Sequence, residues 1–177
     1  MTVVTNRRRR FVLAAPVRPR AVPAPPPGVA VRPPTPADAE ALAWLMHAAY
    51  TGTIDDEGET LADTRAVVAQ YFAGEFGPPM PSVSEVTEHA GELLAATLLT
   101  QWWGGPFVAF MITAPGAQRQ GLARAGLTRA LNRLASGDEP WLRLVVTEGN
   151  TRAEALYASL GFVPVPVPPF EGDAAQA

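Results

Sequence analysis

The chain contains no cysteine and no lysine. Without cysteine there are no disulfides, no thiolate metal ligands and no acyl group held on an enzyme thiol. The 14 basic residues are all arginine, so a Schiff-base lysine and the lysine of a Walker loop are excluded as well. Histidine is scarce: His47 and His89 are too widely separated to suggest a metal site, and no metal is expected. No apolar run approaches the roughly 18 residues needed to cross a bilayer, so no membrane partner is expected.

What is present is 177 residues that are 47% hydrophobic and 18% charged, enough for one domain with a sizeable core. The formal charge of -3 is unevenly spread. Six arginines and no acids occupy the first 20 residues, which leaves eight arginines against 17 acids, a charge of -9, on the remainder. An acidic body favours a cationic or amine partner over nucleic acid.

Residues 1–28 are rich in proline and arginine without core periodicity and read as a flexible arm. Its "RRRRFVLAA" resembles a twin-arginine export signal only superficially, because the apolar part is short and broken by Pro16. The folded domain is expected over 29–168, with a second flexible tail at 169–177.

Within that domain Val29 to Val31 form a short strand, and Thr35, Pro36 and Asp38 mark a helix start. Leu42, Leu45, Met46 and Ala49 then recur at helical spacing. Thr60 and Asp63 are spaced as a second capping pair, after an acidic loop, "GTIDDEGE". The period next switches to that of strands in "SVSEVTE", "ELLAATLLTQWW" and "FVAFMITAP". A helix follows through Arg133, then the strand "WLRLVV", a short helix "NTRAEALYASLG" and a weak last strand "FVPVPV". The order β-α-α-β-β-β-α-β-α-β implies an α/β (α+β) fold, a mixed sheet with helices on its faces. Trp102 and Trp103, beside a turn, are expected to pack in the core.

The stretch "QRQGLARAG", from Gln118, opens the long helix directly after an apolar strand. Its glycines are five apart, which does not fit a dinucleotide fingerprint. It does fit Q/R-x-x-G-x-G/A through Gln118, Gly121 and Ala123. With "TAPGAQRQGLARAGL" upstream and "LRLVVTEGNTRAEALYASLGF" downstream, the chain resembles the GNAT superfamily of acetyl-CoA-dependent N-acetyltransferases from about Val29 to Val165.

That resemblance implies a mostly antiparallel sheet, acetyl-CoA as co-substrate, and a small-molecule or peptide amine as acceptor. Backbone N–H groups through Gln118, Arg119, Gln120, Gly121, Leu122, Ala123 and Arg124 would cradle the diphosphate, reinforced by the helix dipole. Gln118 stands where arginine is commoner, so one charge-assisted contact is lost there, with Arg119 and Arg124 as replacements. Backbone groups of Met111, Ile112 and Thr113 would bind the pantetheine arm. Asn150 stands where the family places a cofactor contact and equally where a helix cap is needed. Tyr157 would by resemblance be the general acid toward the departing thiolate, although core packing in the apolar stripe Ala153, Leu156, Tyr157 and Leu160 also accounts for it.

The usual strand carboxylate is missing from "FVAFMITA". The general base is therefore sought in the acidic loop, among Asp55, Asp56, Glu57 and Glu59, with Asp56 and Glu57 put forward; Glu85, Glu88, His89 and Glu148 are reserves. Direct transfer in a ternary complex is expected, as are a cytoplasmic location and no nucleic-acid partner. A homodimer is left open. The same features without a working base would make a non-catalytic acyl-CoA sensor.

Overall fold

A computed structural model describes residues 9–167. The strands are β1 (Arg10–Pro16), β2 (Val29–Arg32), β3 (Glu85–His89), β4 (Glu92–Trp102), β5 (Gly105–Thr113), β6 (Trp141–Thr147) and β7 (Val163–Pro164). The helices are α1 (Ala39–Tyr50), α2 (Leu61–Ala73), α3 (Leu122–Leu134) and α4 (Thr151–Ser159). The strands make one seven-stranded sheet in the order β2-β3-β4-β5-β6-β1-β7. Among the described residues only the β5–β6 pair is parallel.

Strand β1 corrects the sequence reading, which placed residues 10–16 in a flexible arm. All seven of its residues pair with β6, from Arg10↔Thr147 to Pro16↔Trp141, and its other edge carries β7. Val12, Leu13, Ala14 and Ala15 are buried, so both faces of the strand are covered. Such a strand has no polar alternation to announce it. The chain beyond it is tied down too. The backbone of Arg20 exchanges two hydrogen bonds of 2.8 Å with the Asn132 side chain on α3, and its guanidinium donates to the carbonyls of Leu160 and Pro16. Residues 10–16 and Arg20, upstream of the expected start at residue 29, are therefore packed on the folded domain. Residues 1–8 of that arm and the tail 169–177 lie outside the described residues.

The helix starts form where their caps are. Asp38 accepts from the Thr35 N–H and hydroxyl and is also held by Arg32, closing a short 3-10 turn that leads into α1. At α2 the reciprocal pair is complete: Asp63 N–H donates to Thr60 Oγ1 at 3.2 Å, and Thr60 N–H donates to Asp63 at 2.8 Å.

Two cores lie on opposite faces of the sheet. On one face Leu42, Leu45, Met46, Val68 and Tyr71 of α1 and α2 pack against Val86, Ala96, Leu98 and Ile112. On the other, Leu127, Leu131 and Leu134 of α3 and Tyr157 of α4 pack on Leu99, Val108, Leu142 and Leu144. Adjacent Leu98 and Leu99 serve different cores, as strand alternation requires, and the β4–β5 register shifts between them. Each buried leucine contributes about 1.5–3 kcal/mol of transfer free energy.

Helix α3 lies close on the sheet because residue 126 is glycine. A Cβ there would stand 2.3 Å from Thr97 Oγ1 and 3.2 Å from Glu85 Oε1. The buried Glu85 is in turn clamped by Arg129, through two hydrogen bonds of 2.7 and 2.8 Å, and by Arg133 at 3.1 Å. The second glycine of "QRQGLARAG" thus serves helix packing. Trp102 stacks on Phe76 and Trp103 meets Phe107 edge-on, which places both indoles in an aromatic cluster with Phe110.

Candidate active site

Strands β5 and β6 run side by side for only two residue pairs, Phe107↔Arg143 and Val108↔Leu144. Beyond them β5 continues along β4 to Thr113, and β6 continues along β1 to Thr147. The two strands therefore part, and one edge of each is left without a strand partner. A cavity of about 600 Å³ opens at this fork, with Met111, Ile112 and Thr113 on its wall. That volume lies within the usual range for small-molecule and cofactor sites, about 300–1,000 Å³.

The fork is closed below by the entry to α3. After a single 3-10 turn, Pro115–Ala117, the backbone enters the left-handed region at Arg119 (φ 63°) and again at Gly121 (φ 79°). Glycine adopts that conformation without strain, whereas for arginine it costs about 1–3 kcal/mol, and such strain gathers at ligand clamps. A Cβ at Gly121 would meet no atom within 4 Å, so backbone conformation, not protein packing, demands glycine there. The helix makes its first bond from Ala125 N–H to Gly121 carbonyl, at 2.9 Å. The amides of Leu122, Ala123 and Arg124 precede it without an intrahelical acceptor, and all three residues line the cavity. Together with the dipole of α3 they form a concave, positive donor array.

Of the residues expected to contact the cofactor, the cavity wall brings together Met111, Ile112, Thr113, Gln118, Arg119, Gly121, Leu122, Ala123, Arg124 and Asn150. Gln120 is not on it; its side-chain amide donates back to the Gly116 carbonyl at 3.3 Å. Arg152, which sequence reasoning passed over, does line it and donates to Gln118 Oε1. The neutral Gln118 therefore seats a guanidinium from the opposite side of the fork. A signal was available, since an arginine in the first turn of α4 opposes the helix dipole and calls for an anion. Arg119, Arg124 and Arg152 make the wall cationic at this end.

At the other end stands the acidic loop. Neither Asp56 nor Glu57 reaches the main cavity, which departs from the sequence expectation. Asp56 accepts from Gly52 N–H at 2.6 Å and Gly58 N–H at 2.9 Å, and these bonds hold its carboxyl below the usual range. Glu57 pairs with Arg10 at 3.1 Å on the surface. Asp55 does line the cavity, and Asn150 Nδ2 donates to its Oδ2 at 2.9 Å. Asn150 also caps α4, accepting from Ala153 N–H at 3.2 Å. A smaller cavity of about 160 Å³ adjoins, lined by Met46, His47, Asp56, Glu59 and Phe110. Tyr50 is common to both cavity walls.

Tyr157 is buried against Phe162, with ring centroids 5.8 Å apart, while its neighbours Ala153 and Leu156 face the cavity. Burial pushes its phenol well above the ordinary tyrosine range, and the negative charge of Asp55 adds to that. Tyr50 is raised in the same way, first by burial and then by Asp55. Both phenols are therefore protonated at neutral pH. The reserve groups lie elsewhere: Glu85 is locked in its ion pair, Glu88 is bound to Arg32, and His89 meets the Gly28 carbonyl. Among the described residues no group of three or more His, Asp or Glu is placed to hold a metal ion. No helix among them is long and apolar enough to cross a membrane.

The sequence profile of the Acetyltransferase (GNAT) family matches residues 40–162, which contain the fork, the α3 entry and α4. The chain belongs to the GNAT acetyltransferase family. The same architecture recurs in solved GNAT structures. One is a GCN5-related N-acetyltransferase from Sphaerobacter thermophilus, with TM-score 0.69 and 18% identity, covering 88% of this chain and 48% of that one. Another is the ribosomal-protein-S18-alanine N-acetyltransferase from Escherichia coli, with TM-score 0.63 and 22% identity, covering 78% of this chain and 79% of that one. A third is a GNAT-family acetyltransferase from Colwellia psychrerythraea, with TM-score 0.64 and 16% identity, covering 88% and 52%. The chain thus spans about half the length of the Sphaerobacter and Colwellia proteins. At these identities the likeness is one of fold. No curated protein matches the chain. Strand β1 lies outside the family match, so its place between β6 and β7 is a feature of this GNAT chain beyond the matched segment.

Proposed function

We propose that this GNAT protein transfers the acetyl group of acetyl-CoA to the primary amine of a small molecule or peptide, directly and within a ternary complex. One observation carries the reading: free amides of the α3 entry and three arginines converge on a cavity at the fork of β5 and β6. A diphosphate fits that donor array, and the unpaired strand edges suit the amide-bearing pantetheine arm. The thioester supplies an activated acyl group.

This chain's residues would do the rest. Gly121, Leu122, Ala123 and Arg124 would bind through backbone N–H groups, Arg119 and Arg152 would add charge, and the strand edge at Met111, Ile112 and Thr113 would hold the arm. Tyr157, in the core directly behind Ala153 and Leu156 of the cavity wall, would hold a proton for the departing sulfur, burial keeping its phenol protonated. Alignment replaces a bimolecular encounter by one of high effective molarity.

The test is release of free CoA thiol from acetyl-CoA across a panel of primary amines, with product identified by mass. Amine-dependent release and an acetylated amine are expected. Only one carboxylate of the acidic loop reaches the cavity, which is what a binding module with no catalytic role would also show. Tight acetyl-CoA binding with no product from any amine would establish that second reading in place of the first.

A further inference from the structure

We propose that Asp55 is the general base of the transfer, taking the proton of the attacking amine on Oδ1. The inference rests on the reading above and departs from the loop residues that the sequence put forward. Among the described residues Asp55 is the one carboxylate on the main cavity wall. Its loop neighbours are already engaged: Asp56 by two backbone amides, Glu57 by Arg10, and Glu59 by the Glu57 N–H at 2.9 Å. Strand β5, which forms the opposite wall, carries no ionisable side chain.

The position of Asp55 is set by helix α4. Asn150 is fixed at the helix N-terminus through its Oδ1, and its Nδ2 holds Asp55 Oδ2 at 2.9 Å. This leaves Oδ1 with no donor among the described residues and the carboxylate oriented by a rigid element, as a base requires. The groups around it are Tyr50 at the end of α1 and Tyr157 on α4, with Arg10 and Glu59 acting on Tyr50 from β1 and the loop. Tyr50 is also the wall shared with the smaller cavity, so an amine entering from that side meets Asp55 and the thioester together.

The step balances as follows. The nitrogen lone pair forms a C–N bond to the thioester carbonyl carbon, and the C–S bond breaks with its electron pair on sulfur. The proton leaving nitrogen passes to Asp55 Oδ1, and the thiolate takes the phenol proton of Tyr157. Return of the Asp55 proton to the tyrosinate restores the site, so that one proton has moved from nitrogen to sulfur.

The test compares Asp55→Asn and Asp55→Ala with the wild type in the full chain, measuring kcat against pH and the acetyl-CoA Kd by calorimetry. Asparagine retains a carbonyl oxygen to accept from Asn150, so the loop stays pinned while the base is lost. Asp55→Asn is expected to lower kcat by at least about 100-fold and leave Kd within about twofold. Added formate should restore part of the Asp55→Ala rate in a dose-dependent way. An Asp55→Asn enzyme with wild-type kcat and pH profile would overturn the proposal while leaving acetyl transfer intact. A wild type inert toward every amine would overturn both.

Discussion

Gly121→Glu is expected to weaken acetyl-CoA binding by at least about 100-fold. The residue has φ 79° and its side chain would project into open space on the cavity wall. A carboxylate there would face the diphosphate at close range. At about 5 Å and an effective dielectric near 20, one such charge pair costs roughly 3 kcal/mol, a little over two decades in affinity. The left-handed backbone adds a cost of about 1–2 kcal/mol to folding for any side chain. Gly121→Ala separates the two effects, because it carries the folding cost without the charge. Calorimetric titration of both variants checks this. The alanine enzyme should bind within about tenfold of wild type, by the size of one lost close contact, and the glutamate enzyme should not.

The second large effect is on stability and falls far from the cavity. Gly77, in the turn between α2 and β3, has φ 85°, and a Cβ there would stand 2.1 Å from the carbonyl oxygen of Gln101. That oxygen belongs to β4, whose Gln101 N–H is held by Pro78 at 2.8 Å, so the clash cannot be relieved by a side-chain rotation. Gly77→Ala therefore combines about 1–2 kcal/mol for the left-handed backbone with about 1–3 for overpacking. A loss of about 3 kcal/mol lowers Tm by roughly 10 °C in a chain of this size. Thermal unfolding followed by circular dichroism measures it. Gly52, for which a Cβ would meet nothing within 4 Å, gives the comparison: Gly52→Ala should lose only the backbone part.

Much of this architecture is legible in the residues themselves. The pairs Thr35/Asp38 and Thr60/Asp63 locate helix starts because a carboxylate three residues on can accept from the free N–H of the threonine. The stretch from Gln118 to Ala123 marks the turn into α3, because the left-handed backbone at residue 121 calls for glycine at one fixed place. Strand β1 is not legible. Its "FVLAA" is apolar throughout and flanked by arginines and prolines, and only the pairing with β6 turns it into a strand. The contribution of Arg152 is likewise tertiary, since it meets Gln118 across 34 residues of chain. Within the acidic loop, composition cannot rank Asp55 against Asp56. Adjacent side chains diverge, and the backbone turn directs one to the Gly52 and Gly58 amides and the other to Asn150.

The anionic end of the donor is expected at the entry to α3. Calorimetric titration of the full chain with acetyl-CoA and with acetyl-pantetheine, which has the same thioester arm and no diphosphate, measures that contribution directly. The cradle of α3 amides with Arg119, Arg124 and Arg152 predicts one site per chain for acetyl-CoA, and for acetyl-pantetheine an affinity lower by at least about 100-fold, as charge-assisted hydrogen bonds of about 1.5–3 kcal/mol each imply. Equal affinity for the two, or no saturable binding of acetyl-CoA, would contradict it.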